Sequence, residues 1–280
     1  MNTTENIRAF YADGREQGRL ASGIGPLEFA RSREIIARHL PAASAVVYDI
    51  GGGPGAYSFW LAGLGYQVHL LDLSLLHIKQ AEERDRTGTV RLAGIHVGDA
   101  RVLPFADESA DAVILHGPLY HLTNLTDRLL ALSEARRVLR PGGVLLAFAI
   151  SSAASTIVGL LREWVWDADY RRMCVEELTT GLHDRPSNWP GLLMDGFFHS
   201  PSQLRKELEA AGFDHEKTLG IQGPAWMPPN FAEDWKNDER RNALLEIARA
   251  AETEPSLSPH MMAVGRKPRA EAADEKGLES

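Results

Sequence analysis

One cysteine, Cys174, is all the chain holds, which excludes an intramolecular disulfide and any multi-cysteine zinc site. No positive helix terminus or histidine partner stands beside it in the sequence to activate a thiolate, so it reads as a half-buried helical residue. Basic charge is also scarce. The 30 Lys and Arg against 38 Asp and Glu leave a net charge of −8, without the excess that neutralising nucleic-acid phosphates demands. No run approaches the roughly 18 consecutive apolar residues that span a bilayer, and Met1-Asn2-Thr3-Thr4-Glu5 shows no basic region followed by an apolar one. These absences predict a cytoplasmic protein with neither nucleic acid nor membrane as partner; monomer and homodimer both stay open. What is present, 44% hydrophobic residues in a chain of 280, suffices for one large domain with an elaboration.

The pattern of that domain changes along the chain. Polar residues 5–18 carry Phe10 and Tyr11, and Gly25-Pro26 opens a helix that ends at Pro41. From residue 45, short apolar runs alternate with amphipathic stretches, which is the signature of βαβ units and a parallel sheet. The predicted strands are 45–50, 66–72, 94–97, 112–116 and 144–150; the helices between them are 57–64, 75–84 and 126–139, the last stopped by Pro141-Gly142-Gly143. The crossover between 97 and 112 is too short for a regular helix. The alternation then breaks over 151–199, where Trp164, Trp166, Tyr170, Trp189, Phe197 and Phe198 gather in what reads as a helical insertion. It resumes with a helix over 202–211, a strand over 213–221, a Pro-rich loop with Trp226, a helix over 239–250 and a strand over 260–265. Five segments follow: an N-terminal helical cap (1–44), an α/β core (45–150), the insertion or lid (151–199), a C-terminal completion of the core (200–267), and a charged tail (268–280) expected to be disordered, the loss of order setting in from Arg266.

Chemistry enters where the first strand, ending Asp49-Ile50, runs into Gly51-Gly52-Gly53-Pro54-Gly55 and then a helix. Glycines in a strand-to-helix turn let a nucleotide approach the backbone. The order D-x-G-x-G-x-G differs from the G-x-G-x-x-G of dinucleotide binders. The second strand ends at Asp72, 21 residues past Gly51, where a carboxylate can accept both ribose hydroxyls of an adenosine. The third ends Gly98-Asp99-Ala100, on the same carboxyl edge of the sheet and within reach of an adenine amino group.

Through Asp49–Gly55, Asp72, Gly98-Asp99-Ala100-x3-Pro104-Phe105 and Glu134–Gly143, the sequence resembles the class I S-adenosylmethionine-dependent methyltransferases. The segment Gly117–Leu122 is similar to one in the bacterial small-molecule members. The resemblance implies an α/β fold, a doubly wound seven-stranded mostly parallel sheet of order 3-2-1-4-5-7-6 with strand 7 antiparallel. It also implies S-adenosylmethionine as cofactor, S-adenosylhomocysteine as product, and methyl transfer to O, N or C of a small-molecule metabolite. Asp49, Gly51, Gly53 and Gly55 would surround the methionine part, Asp72 the ribose, and Leu73, Asp99 and Ala100 the adenine. The single cysteine disfavours arsenite methylation, which in similar enzymes takes several thiols.

Further candidates rest on position. His116 through His121 follow the fourth strand, where sulfonium and acceptor should meet: Tyr120 and His121 are candidates for positioning the acceptor or removing a proton, with His199 as a more distant third, and His116 beside the cofactor. No metal-ligand spacing joins the histidines. In the cap, an arginine such as Arg15 or Arg19 could pair a carboxylate and Tyr11 could face a sulfonium. The insertion's aromatics and Trp226 either line an acceptor pocket or form the core of a lid. Two alternatives stay open at this stage, a non-catalytic S-adenosylmethionine-binding protein and an NAD-dependent oxidoreductase.

Overall fold

The computed structural model describes residues 3–12, 14 and 16–269. Its centre is a parallel run of five strands, β1 (Val46–Ile50), β2 (Gln67–Asp72), β3 (Gly94–Val97), β4 (Ala110–Leu115) and β5 (Leu139–Ile150), continued by β8 (Asp214–Gly220) and β9 (His260–Arg266). Their order across the sheet is β3-β2-β1-β4-β5-β9-β8, and β9 runs antiparallel to both its neighbours. Counted along this sheet alone, β8 is the sixth strand and β9 the seventh, as the resemblance implies.

Alternation of side chains splits the core into two layers. Tyr48, Ile50, Val113, Leu115, Leu145 and Ala147 face one way, onto α6 (Leu125–Val138) and α9 (Pro201–Ala210). Val47, Ala112, Ile114, Val144, Leu146 and Phe148 face the other, onto α2 (Gly25–His39) and α3 (Ala56–Gly63). With both faces covered, ligands are left the carboxyl edge, and β1 stands where the strand order reverses.

The short crossover between β3 and β4 holds its shape without a helix. Arg137 donates to the carbonyls of Leu103 (3.0 Å) and Phe105 (2.8 Å), and Glu134 accepts from the Leu103 N–H (2.8 Å). The Glu134–Arg137 pair on α6 thus fixes the loop that carries Asp99.

The insertion contains α7 (Ala154–Leu161), α8 (Ala168–Thr180) and a two-stranded ribbon, β6 (Leu182–His183) with β7 (Gly196–Phe197). Trp164, Tyr170 and Trp189 pack with Val165, Met173 and Cys174 in a core of their own. Cys174 is buried, deeper than its sequence reading, and burial pushes its thiol up to about 11. Trp166 lies exposed, whereas Trp226 belongs to another small core beside Leu27 and Phe231. The ends of the excursion meet: His199 N–H donates to Ile150 O (2.8 Å) and Ser152 N–H to His199 O (2.9 Å).

Two readings change at the C-terminal end. A short helix, α10 (Phe231–Lys236), precedes α11 (Asp238–Ala250), where a loop was expected. Arg266 completes β9 and Lys267 bonds Leu139 O (2.7 Å), so ordered structure continues into the stretch read as disordered tail, while 270–280 lie outside the described residues.

Candidate functional site

A cavity of about 410 Å³ opens at the carboxyl ends of β1, β2 and β4, within the ~300–1,000 Å³ typical of small-molecule sites. Its floor is the turn after β1. Gly51 adopts φ +76°, its N–H donates to Leu71 O (2.7 Å), and a β-carbon there would stand 2.3 Å from the His116 carbonyl. Gly53 adopts φ +58° and faces the cavity, its missing β-carbon 3.4 Å from Glu16 Cγ. Only glycine satisfies the first position, and the left-handed backbone favours glycine at the second.

Asp72 locks this turn to the second strand. Its Oδ2 accepts from Gly53 N–H (2.8 Å), and its Oδ1 accepts from Ser74 N–H (2.8 Å) and meets His77 Nδ1 (3.1 Å). Carboxylate oxygens carry two lone pairs each, so Asp72 keeps acceptor capacity toward the cavity it lines. Asp99 is chelated by Arg101 (3.0 and 2.7 Å); burial alone would raise its carboxyl, but these bonds hold it below the usual range. Arg101 reaches on to Asp127 (3.0 Å).

Asp49 sits beneath the floor, completely buried. Its Oδ2 accepts from Ser58 Oγ (2.5 Å), and a β-carbon on Gly52 would come within 2.5 Å of that same oxygen. Burial pushes its carboxyl up to about 6, partly offset by Ser58.

The roof comes from the N-terminal segment, α1 (Thr3–Phe10) and the turns after it. Arg8 Nε donates to Leu73 O (3.2 Å), Arg101 donates to Thr4 Oγ1 (2.9 Å), and Gln80 donates to Gln17 Oε1 (2.9 Å). Tyr11 Oη meets His121 Nε2 at 2.8 Å, with its ring edge-on to His77 and His121. Burial lowers His121 to about 4 and His116 to about 3, so both imidazoles are neutral at physiological pH, and it raises the phenols of Tyr11 and Tyr120. His116 stacks on Phe148 at 4.0 Å and neighbours Tyr57.

Of the residues singled out in the sequence, Tyr11, Arg19, Gly51, Gly53, Asp72, Leu73, Asp99, Ala100, His116, Tyr120 and His121 line this one cavity. Asp49 and Gly55 do not; they shape the turn from behind, Gly55 as the left-handed N-cap of α3. His199 does not line it either: it is fully buried, 3.3 Å from Glu207, which also takes a bidentate contact from Arg128. Nor does any residue of 151–199, so the lid of the cavity is the N-terminal segment. Arg15 lies outside the described residues. Among the described residues no cluster of three or more His, Cys, Asp or Glu could hold a metal, and no helix is long and apolar enough to cross a membrane.

Sequence reading missed Glu16, Glu28, His77 and Phe29. Arg19 is held by Glu16 (2.8 Å) and, through both terminal nitrogens, by Glu28 (2.8 and 2.9 Å). Burial would raise Glu28, yet Arg19 and His260 hold it at about 2. The one signal available was Glu28 at the start of a helix, which by itself reads as a charge on a first turn. Buried Gln80 Oε1, His77 Nε2 and His121 Nδ1 have no partner among the described residues, so the cavity offers hydrogen-bonding capacity that a polar ligand would satisfy.

Residues 48–147 match the family model described as a methyltransferase domain. A ubiquinone/menaquinone biosynthesis C-methyltransferase of Paracoccus denitrificans is 34% identical over 42% of this chain and 46% of its own. A malonyl-[acyl-carrier protein] O-methyltransferase of Methylococcus capsulatus is 33% identical over 51% and 50%. The matched stretch thus spans about half the length of these relatives. An S-adenosylmethionine-dependent methyltransferase of Methanosarcina mazei shares the fold, with TM-score 0.58, 18% identity, and coverage of 84% of this chain and 98% of that one.

Proposed function

We propose that this chain, whose residues 48–147 match a methyltransferase domain, is a class I S-adenosylmethionine-dependent methyltransferase that transfers a methyl group to a small molecule held beneath its N-terminal segment. One observation carries the reading: glycine turn, Asp72, Asp99 and the residues after β4 line a single cavity at the point where the strand order reverses. The relatives named above are methyltransferases, which leaves the oxidoreductase and the non-catalytic readings without support.

The residues present fit the cofactor. Gly53 lies open to the cavity beside Glu16, where a carboxylate suits the ammonium of a methionine moiety. Asp72 keeps one lone pair, on Oδ2, for a ribose hydroxyl, and Leu73, Asp99 and Ala100 suit the adenine, with Asp99 fixed in place by Arg101. When bound, S-adenosylmethionine supplies a methyl carbon on a positively charged sulfur. What the protein adds is alignment and the exclusion of water. Tyr120 and His121 line the cavity from the β4 side; burial makes His121 a weak base and its Nε2 is bonded to Tyr11, so positioning the acceptor suits it better than taking a proton. Arg19, its charge met by two glutamates that take three of its five N–H groups, serves as an internal brace before it serves as a carboxylate receptor.

Calorimetry with S-adenosylhomocysteine tests the reading. Binding to the full chain is expected, together with a loss of roughly tenfold to a hundredfold in Asp72→Ala, the size of one or two charge-assisted hydrogen bonds. Absence of binding to the folded wild type would overturn it.

A further inference from the structure

We infer that the methyl acceptor enters this site uncharged, as a ring-bearing molecule without a carboxylate, phosphate or ammonium group near the reacting atom. The inference rests on the proposed methyl transfer for its location only. Adenosine-directed residues stand at the ends of β2 and β3, on one side of β1; β4 lies on the other side, so the acceptor's portion of the cavity is the one toward β4, α2 and α3. There the walls are Leu20, Phe29, Tyr57, His116 and Tyr120. Phe29 and Tyr57 lie 5.1 Å apart, Tyr57 and His116 5.2 Å, forming an aromatic tier that ends on Phe148.

The charged group beside this tier is Arg19, and it is already spoken for. Its Nε is held by Glu16 and one N–H of each terminal nitrogen by Glu28, so its end-on bidentate face is taken and its single positive charge is already met by two carboxylates, although one N–H on each terminal nitrogen remains. Glu28 in turn is sealed, 1% exposed, with His260 Nδ1 3.6 Å from the same Oε2 that meets Arg19, so it offers nothing to a cation. Glu16 stands with its Cγ beside Gly53, on the cofactor's side, and its Oε1 is taken by Arg19. A charged acceptor of either sign would therefore exchange water for an aromatic wall without a counter-ion, a cost that an uncharged ring does not meet. The neutral imidazole of His116 and the phenols leave hydrogen-bonding groups suited to a hydroxyl or carbonyl on such a ring.

The test uses three matched probes, 2-naphthol (uncharged), 6-hydroxy-2-naphthoate (anionic) and 2-naphthylmethylamine (cationic). Each is titrated calorimetrically into the full chain at pH 7, both free and saturated with S-adenosylhomocysteine. Expected is binding of 2-naphthol at least roughly tenfold tighter than either charged probe. Equal or tighter binding of a charged probe, or no binding of 2-naphthol, overturns the inference. Failure of S-adenosylhomocysteine to bind, with the ranking intact on the free chain, sinks the methyl-transfer reading alone. Glu28→Gln, by releasing Arg19, is expected to move the ranking toward the naphthoate by roughly tenfold; Glu16→Gln, which keeps the buried partner, should move it the same way by less. An unchanged ranking in both folded variants also counts against the inference.

Discussion

At the scale of single residues, the site works through groups whose charge state is set by burial. Asp49 is the clearest case. Its folded-state carboxyl titrates near 6 against an ordinary value of 3.8, so the folded protein holds a proton that the unfolded chain has already released. Stability contributed by this group is therefore present at acid pH and is lost as pH rises through about 4 to 6, levelling off above 7. At ~1.4 kcal/mol per pH unit the full swing is about 3 kcal/mol. Asp49→Asn should abolish that slope: urea midpoints of the wild type and the variant should diverge in the variant's favour between pH 4.5 and 7.5, and parallel curves would refute the assignment. His121 presents the opposite sign. Burial depresses it to about 4, so it carries no charge across pH 5–8, and a pH–rate limb in that window cannot arise from its titration. Tyr11→Phe removes the 2.8 Å bond to Nε2 but keeps the ring. An affinity loss for S-adenosylhomocysteine of about fivefold, near 1 kcal/mol, is expected by calorimetry.

At the scale of elements, buried ion pairs decide how helices dock. Arg128 on α6 and Glu207 on α9 are both almost wholly inaccessible and bond at 2.8–3.1 Å, with His199 as a third member and the Phe197 ring 3.6 Å from the guanidinium carbon. Glu207→Ala would strand a buried guanidinium and should cost about 3–5 kcal/mol of unfolding free energy, whereas Arg128→Met with Glu207→Leu should recover most of it. Equal destabilisation of single and double variants would show that packing, not charge, is the issue. The same network explains why His199 misled a reading of the sequence. A histidine near aromatics at the end of an insertion is a sound catalytic candidate in one dimension, and only the packing of α9 against α6 reveals its structural partner. By contrast, the sheet was legible because both faces of each central strand are buried, giving short apolar runs that end at glycine or aspartate. Asp72 and Asp99 were legible for the same reason, since strand ends fix their position on one edge. The Arg19–Glu28 pair was not, because nothing local in the chain brings a turn before α2 and the first turn of α2 into a bidentate contact. The aromatic lid was misplaced because the insertion's rings satisfy one another, leaving the polar cap to cover the cavity.

At the scale of the whole molecule, these placements divide the chain into a part that lines the cavity and a part that does not. The core from β1 to β5 supplies the floor, the segment before α2 supplies the roof, and the 151–199 excursion contributes no wall. That excursion carries its own hydrophobic core and leaves the fold through a doorway closed by backbone bonds between His199 and residues 150 and 152. A close link to the site is the ribbon: a β-carbon on Gly196 would stand 2.4 Å from Tyr120 O, so β7 supports the short helical turn that carries Tyr120 and His121. Replacing residues 154–194 by a flexible Gly/Ser linker of about six residues, with β7 retained, removes the private core without opening the cavity. S-adenosylhomocysteine affinity should then stay within about threefold of the intact chain, because local stability is partitioned among units that share few contacts. A larger loss, in a protein whose circular dichroism still reports the sheet, would mean that the excursion acts on the site through the ribbon. Removing β7 as well should loosen the 118–121 turn, and comparing the two deletions separates support of that turn from coverage of the cavity.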